Sequence, residues 1–186
     1  MFFLIFLIFL RAGEKELLIA DFEKDSHVNC VGGLFGAWNK DPKDRTQFCK
    51  DEIERIYGNR ILTLTYDVDS PYPAYNGFWM KLNDIDVSEF THLCFDIKGG
   101  KKSTTRFWLE LKDKEGRKGK VLVDGIKKTW QTISIPLFLF TMHPEYEKPL
   151  QDFKKIYEMV IVFEDRIVTE KLGKIYLDNI KFKKME

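Results

Sequence analysis

Short segments in which apolar and polar residues alternate recur along the 186-residue chain, broken by clusters of Gly, Pro, Asn, Asp and Lys. Alternation with a period of two marks a half-buried strand. The pattern predicts strands near ELLIADFE, RILTLTYDV, NGFWMKL, THLCFDIKG, TRFWLELKD, GKVLVDG, WQTISIPL, YEMVIVFED and GKIYLDNIKF. The breaks DSPYPAYN, KGGKKS, DKEGRKG and GIKKT carry turn residues, and LKDKEGRKGKVLV reads as a hairpin. One turn of helix is expected in PLQDFKKI, with Pro149 near its start. Strands with so little helix imply an all-β fold, a two-sheet antiparallel sandwich. One domain is expected over residues 16–186, preceded by an apolar segment and short linker over 1–15.

The alternation also assigns faces. Phe78, Met80 and Leu82 form the apolar set of one strand, which turns Tyr75, Gly77, Trp79 and Lys81 outward. Phe107, Leu109 and Leu111 leave Arg106, Trp108 and Glu110 outward. Leu93, Phe95 and Ile97 leave His92, Cys94 and Asp96 outward. The polar stretch from Asn39 to Asn59 is expected as a loop over that outer face. Two aromatic loops, Tyr72 with Tyr75 and His143 with Tyr146, are weaker candidates for a rim. Trp130 is expected to be structural, and Trp38 is open to either role.

Composition narrows the choices. With 44% hydrophobic and 15% aromatic residues the chain has material for a core, and disorder is excluded. Thirty Lys and Arg against 29 Asp and Glu give a net charge of +1, so nothing points to nucleic acid. Residues 2–10 are uniformly apolar, too short to span a hydrocarbon core of roughly 30 Å. They have the length of an export signal's apolar region, with Ala12-Gly13 following, although the basic leader is missing. A secreted or periplasmic location is therefore expected, a buried first strand being the alternative. Cys30 and Cys49 share a polar region in which a disulfide is open to them, whereas Cys94 reads as a buried or half-buried thiol. With no CxxC and three scattered His, a zinc site is not expected.

LLIADFEKD, GFWMKLNDIDVSEFTHLCFDIKG, TWQTISIPLFLF and KIYLDNIKF, in that order, resemble the jelly-roll carbohydrate-binding modules of the galactose-binding-like superfamily. The same pattern is similar to the complex I intermediate-associated protein family. The resemblance implies a jelly-roll sandwich that binds an oligo- or polysaccharide without catalysis. A monomer is expected. It also implies a structural calcium ion (Ca2+) between the first and last strands, with Asp178 in LDNI, Glu23 in DFEK and nearby Asp21 as ligands. Calcium takes six to eight oxygens, so backbone carbonyls must complete such a site. The alternative for Asp178 is a carboxylate that faces solvent or caps a turn.

Sugar rings stack their C–H faces on flat aromatic rings while charged side chains fork to the hydroxyls. Trp79, Trp108, Tyr75, Arg106, Glu110, Lys81 and Asp96 supply that chemistry on one expected face. A protein partner on the same face is the second reading, through the intermediate-associated relatives. A glycosidase is the third, with Glu110 and Asp96 as its most tempting carboxylate pair. No nucleophile elbow, phosphate loop or metal-binding His motif accompanies them, so an enzyme is not expected.

Overall fold

The computed structural model describes residues 15–142 and 148–185. The export-signal expectation on residues 2–10 and the His143–Tyr146 loop lie outside the described residues. Within them the alternating segments become eleven strands: β1 (Glu16–Ala20), β2 (Phe35–Asn39), β3 (Phe48–Ile56), β4 (Asn59–Asp67), β5 (Tyr75–Ile85), β6 (His92–Gly99), β7 (Phe107–Lys112), β8 (Lys118–Val123), β9 (Gln131–Pro136), β10 (Ile156–Glu164) and β11 (Leu172–Lys183). One sheet runs β3-β4-β11-β6-β9 with β1 also paired to β11; the other runs β2-β5-β10-β7-β8. Every pairing is antiparallel, and the two sheets pack as a jelly-roll sandwich.

The core is the set that alternation assigned inward. Phe78, Met80, Leu82, Phe107, Leu109, Leu111, Leu93, Phe95 and Ile97 are all buried in one cluster. Tyr66 of β4 and Phe163 of β10 stack across the sandwich with centroids 4.1 Å apart, which pins one sheet to the other. The Tyr66 hydroxyl donates to the Glu170 carbonyl (3.0 Å) and accepts from the Thr104 N–H (2.7 Å). Burial is the main reason its phenol titrates well above the ordinary range.

Three expectations are corrected. The Asn39–Asn59 stretch is no lid: its second half is β3, paired with β4 from Phe48↔Asp67 to Ile56↔Asn59. Its polar character suits a sheet edge, where charged side chains discourage further pairing. PLQDFKKI is not helical. Its start is drawn to the edge of β8, where the Lys118 N–H donates to the Lys148 carbonyl and the Leu150 N–H to the Lys118 carbonyl, each at 3.0 Å. The helical turn instead follows Pro136, as a 3-10 helix over Leu137–Thr141. Finally, Cys30, Cys49 and Cys94 are all free thiols. Cys49 is buried in the core, where desolvation pushes its thiol up, while Cys30 is exposed beside Asp21.

Candidate functional site

The outer face of the five-stranded sheet is built in rows, because antiparallel register sets outward residues of neighbouring strands side by side. One row reads Gly36, Trp79, Val160, Glu110, Lys120 across β2, β5, β10, β7 and β8. The next reads Trp38, Gly77, Val162, Trp108, Leu122. A third reads Lys81, Glu158, Lys112, Lys118. Each tryptophan of β2 and β5 thus stands opposite a glycine of the other strand. The Trp79 ring lies 3.6 Å from where a Gly36 Cβ would be, and Trp38 Nε1 lies 3.2 Å from that position at Gly77. Two G-x-W segments, in FGAW and NGFW, pair reciprocally so that each indole covers the other's glycine.

Over these rows lies an open groove of about 520 Å³. Trp38, Tyr75 and Trp79 form one flank, Val160 and Val162 lie between, and Glu110, Lys112, Lys118 and Lys120 form the other. Trp38 and Tyr75 meet edge-on at 5.8 Å, and Lys40 lies 4.9 Å above Tyr75. A ladder of ion pairs crosses the strands: Lys81 to Glu158 (2.6 Å), Glu158 to Lys112 (3.6 Å), Lys112 to Glu110 (3.2 Å), Glu110 to Lys118 (3.7 Å). Burial alone would lower the Lys81 ammonium, but the Glu158 hydrogen bond and charge outweigh it and raise it. Lys120 sits 4.2 Å over the Trp108 ring, and burial lowers it against the pull of Glu110 and Glu164. The indole N–H groups of Trp38 and Trp108 are buried without a partner.

Of the seven ligand candidates, Tyr75, Trp79 and Glu110 line this groove. Lys81 and Trp108 share its face through the rows above. Arg106 does not join them: its Nε donates to the Ile167 carbonyl (2.7 Å), tying a loop to the start of β7. Asp96 is on the other sheet, opposite Asp178 in register, because β6 pairs with β11 and not with β5 or β7. The single-face expectation fails there, since alternation tells inward from outward but not one sheet from the other. Trp38, left open between a structural and a binding role, also lines the groove, whereas Lys112, Lys118, Lys120, Glu158 and Glu164 were not anticipated. The signals were the repeated G-x-W and the alternation of Glu158, Val160, Val162 and Glu164 in YEMVIVFED.

On the six-stranded sheet a bulge after Asp178, with Asn179 at φ 51°, breaks the alternation of β11. Asp178 accepts from the Asn59 side-chain amide and the Asn179 N–H, each at 2.8 Å. Asp96 accepts from the Thr132 hydroxyl (2.6 Å) and the Asn179 side-chain amide (3.0 Å). Glu23 accepts from the Arg60 N–H (3.1 Å), so Glu23 and Asp178 meet adjacent residues of β4. Asp21 turns instead to the Glu23 N–H (3.2 Å). Burial first, then the charges of Asp96 and Glu23, raise Asp178 above its ordinary value, against its two hydrogen bonds. Among the described residues no three His, Cys, Asp or Glu side chains gather as a metal-holding group. Of the three expected calcium ligands, Glu23 and Asp178 thus meet at the start of β4 and Asp21 faces the Glu23 N–H.

The sandwich and its grooved outer face define a class of ligand-binding β-modules. Residues 26–184 match the model of carbohydrate binding domain 30, and the chain belongs to that family. A family 11 carbohydrate-binding module from Clostridium thermocellum, solved with a beta-1,3-1,4-mixed-linked tetrasaccharide, superposes with a TM-score of 0.69 at 20% identity, over 90% of this chain and 94% of that one. A family 29 carbohydrate-binding module mutant complexed with mannohexaose gives 0.52 at 13% identity, over 91% and 92%. An exo-beta-agarase gives 0.62 at 17% identity over 91% of this chain but 25% of its own length. At these identities the likenesses establish the fold. No curated protein is recognisably similar.

Proposed function

We propose that the groove on the five-stranded sheet binds a glycan chain without chemistry, the Trp38–Trp79 platform stacking on its sugar rings. The carrying observation is the reciprocal Gly–Trp pairing, which offers two indoles side by side above glycines. The ion-pair ladder beside it presents oxygens and ammonium groups to hydroxyls while its charges largely compensate one another. A neutral glycan suits such a floor. Family membership favours the same reading, and favours binding over catalysis. The carboxylate pair that most invited a glycosidase reading, Glu110 and Asp96, is divided between the two sheets. A protein-binding face would call for a broader apolar patch, and here Val160 and Val162 are the aliphatic part of the lining.

The test is affinity electrophoresis and calorimetry over a panel of soluble glycans. The panel begins with the mixed-linked tetrasaccharide and mannohexaose bound by the structural neighbours. One class should bind, and Trp79→Ala should weaken it by roughly 30-fold or more, the scale of a central aromatic anchor. Folded Trp79→Ala that binds like the parent would end the proposal.

A calcium ion at the meeting of Glu23, Asp178 and Asn59 is proposed as a separate, stabilising element, with backbone carbonyls supplying the remaining oxygens. Its support is a buried carboxylate with like charges nearby. Calcium added after EDTA should raise the melting temperature of the parent and not of Asp178→Asn. Equal response of the two would remove the ion.

A further inference from the structure

The six-stranded sheet carries a second aromatic groove, on the opposite side of the sandwich from the first. It begins at the β3–β4 hairpin, whose two-residue turn is Tyr57-Gly58 with φ 51° and 90°. Turns of this type favour Asn-Gly or Asp-Gly, because side chains larger than these avoid the left-handed region. A tyrosine here is the costlier choice, and its ring is fully exposed at 105%. Strain of this kind is often kept for what the side chain does. Trp130, just before β9, lines the same groove and is 44% exposed where the sequence suggested a structural residue. Lys98 steadies it, its ammonium 5.4 Å from the Trp130 ring and 4.6 Å from that of Tyr176.

Between Tyr57 and Trp130 the groove measures about 280 Å³, with Ile61 in its lining and Asp96, Asp178 and Asn59 along it. That is near the lower end of ligand-pocket sizes, roughly 300–1,000 Å³, and suits a short run of rings more than a protein surface. Asp96, which is not among the proposed calcium ligands, is fixed by the Thr132 hydroxyl and the Asn179 amide, yet its oxygens have further lone pairs to offer. The groove thus joins two flat rings to fixed acceptors, which suits hydroxyl donors. Its two carboxylates disfavour uronates, sulfated sugars and phosphates.

We propose that this groove is a second glycan-binding site, for neutral pyranose units, so that one module holds two separate glycan chains. Sheets packed back to back stand about 10 Å apart with the core between them. A short oligosaccharide in one groove cannot reach the other, and a long polymer would be cross-bridged.

The experiment titrates the parent with the mixed-linked tetrasaccharide and with mannohexaose, using tetragalacturonate as an anionic control, and follows turbidity with a long soluble polymer of the class that binds. Two variants separate the faces: Trp79→Ala for the first groove, and Tyr57→Asn with Trp130→Ala for the second. Asn suits the left-handed turn, so the second variant is expected to melt like the parent. The proposal expects two equivalents bound per chain and polymer turbidity. It also expects one equivalent and no turbidity in either variant, and no tetragalacturonate binding in the second groove. One equivalent in the parent, unchanged by Tyr57→Asn with Trp130→Ala, overturns it, as does failure of every neutral glycan. The first groove fails separately: binding lost with Tyr57→Asn and Trp130→Ala but untouched by Trp79→Ala would sink that site and leave this one standing.

Discussion

The two outer faces of this sandwich solve the placement of charge in different ways. On the five-stranded face, continuous register sets lysines against glutamates, and each carboxylate of the ladder meets an ammonium group. On the six-stranded face the bulge after Asp178 leaves two carboxylates opposite each other, held by Asn59, Asn179 and Thr132. An ion-paired floor is nearly neutral and its geometry is set by paired strands. A floor held by amides keeps its negative charge and depends on one irregular turn of backbone. The six-stranded sheet has cross-strand ion pairs too, Lys174 to Glu54 and Lys181 to Glu16. The contrast is therefore local: compensated charge along the ladder, and an uncompensated carboxylate pair around Asp178.

The broadest way to break the comparison is to loosen what both faces share. Phe163→Ala removes the ring stacked on Tyr66, the contact that pins β10 to β4. Deleting a buried phenyl ring costs about 3–5 kcal/mol, which for a domain of this size lowers the melting temperature by roughly 6–20 °C. Calorimetric melting checks this. Both faces should lose ligand together, as the fold is lost. Loss at one face alone, well below the melt, would show that the sheets are less coupled than the stacked pair implies.

That shared core was legible in the sequence because it depends on period alone. Phe78, Met80 and Leu82, or Phe107, Leu109 and Leu111, alternate without interruption, and a one-residue slip would expose all of them. The sheet to which an outward residue belongs depends on long-range pairing, which no local pattern encodes. Hence Trp79 and Glu110 were assigned to one face correctly and Asp96 was not. β3 escaped notice because an edge strand has little apolar signal. Trp38 was readable only as half of a reciprocal pair, since FGAW means little until set against NGFW. The free cysteines have a similar cause: proximity in a polar stretch says nothing about which side chain the core takes, and it took Cys49.

A narrower change sharpens the contrast. Glu158→Gln removes the carboxylate that Lys81 and Lys112 share; Lys112 keeps Glu110, Lys81 loses its carboxylate in the ladder, and the face gains one positive charge. Partly exposed pairs of this kind contribute little, so a stability loss of about 1 kcal/mol is expected. The more telling readout is selectivity. The variant should bind neutral glycans somewhat less well and gain affinity for uronate-containing ones in the first groove. Unchanged selectivity would mean that the ladder orders the strands without shaping what the groove accepts.

The smallest effect is expected at Asp178, and its sign follows from the face it occupies. Burial and the charges of Asp96 and Glu23 hold its proton in the folded protein to a pH above the ordinary 3.8. Between that value and the raised one, the folded state binds more proton than the unfolded state, so stability falls as pH rises through the window. Above the raised value the whole cost of the ionised, buried carboxylate is present. With EDTA, the denaturation midpoint of the parent should therefore drift down from about pH 4 towards neutrality relative to Asp178→Asn, whose amide does not titrate. Calcium should reverse the drift, because a cation favours the ionised form and its binding strengthens as the proton leaves. On the five-stranded face no such reversal is expected, since there the compensating cations are lysines built into the sheet. A parent and variant that track each other at every pH, with and without calcium, would show that Asn59 and the Asn179 N–H already satisfy Asp178.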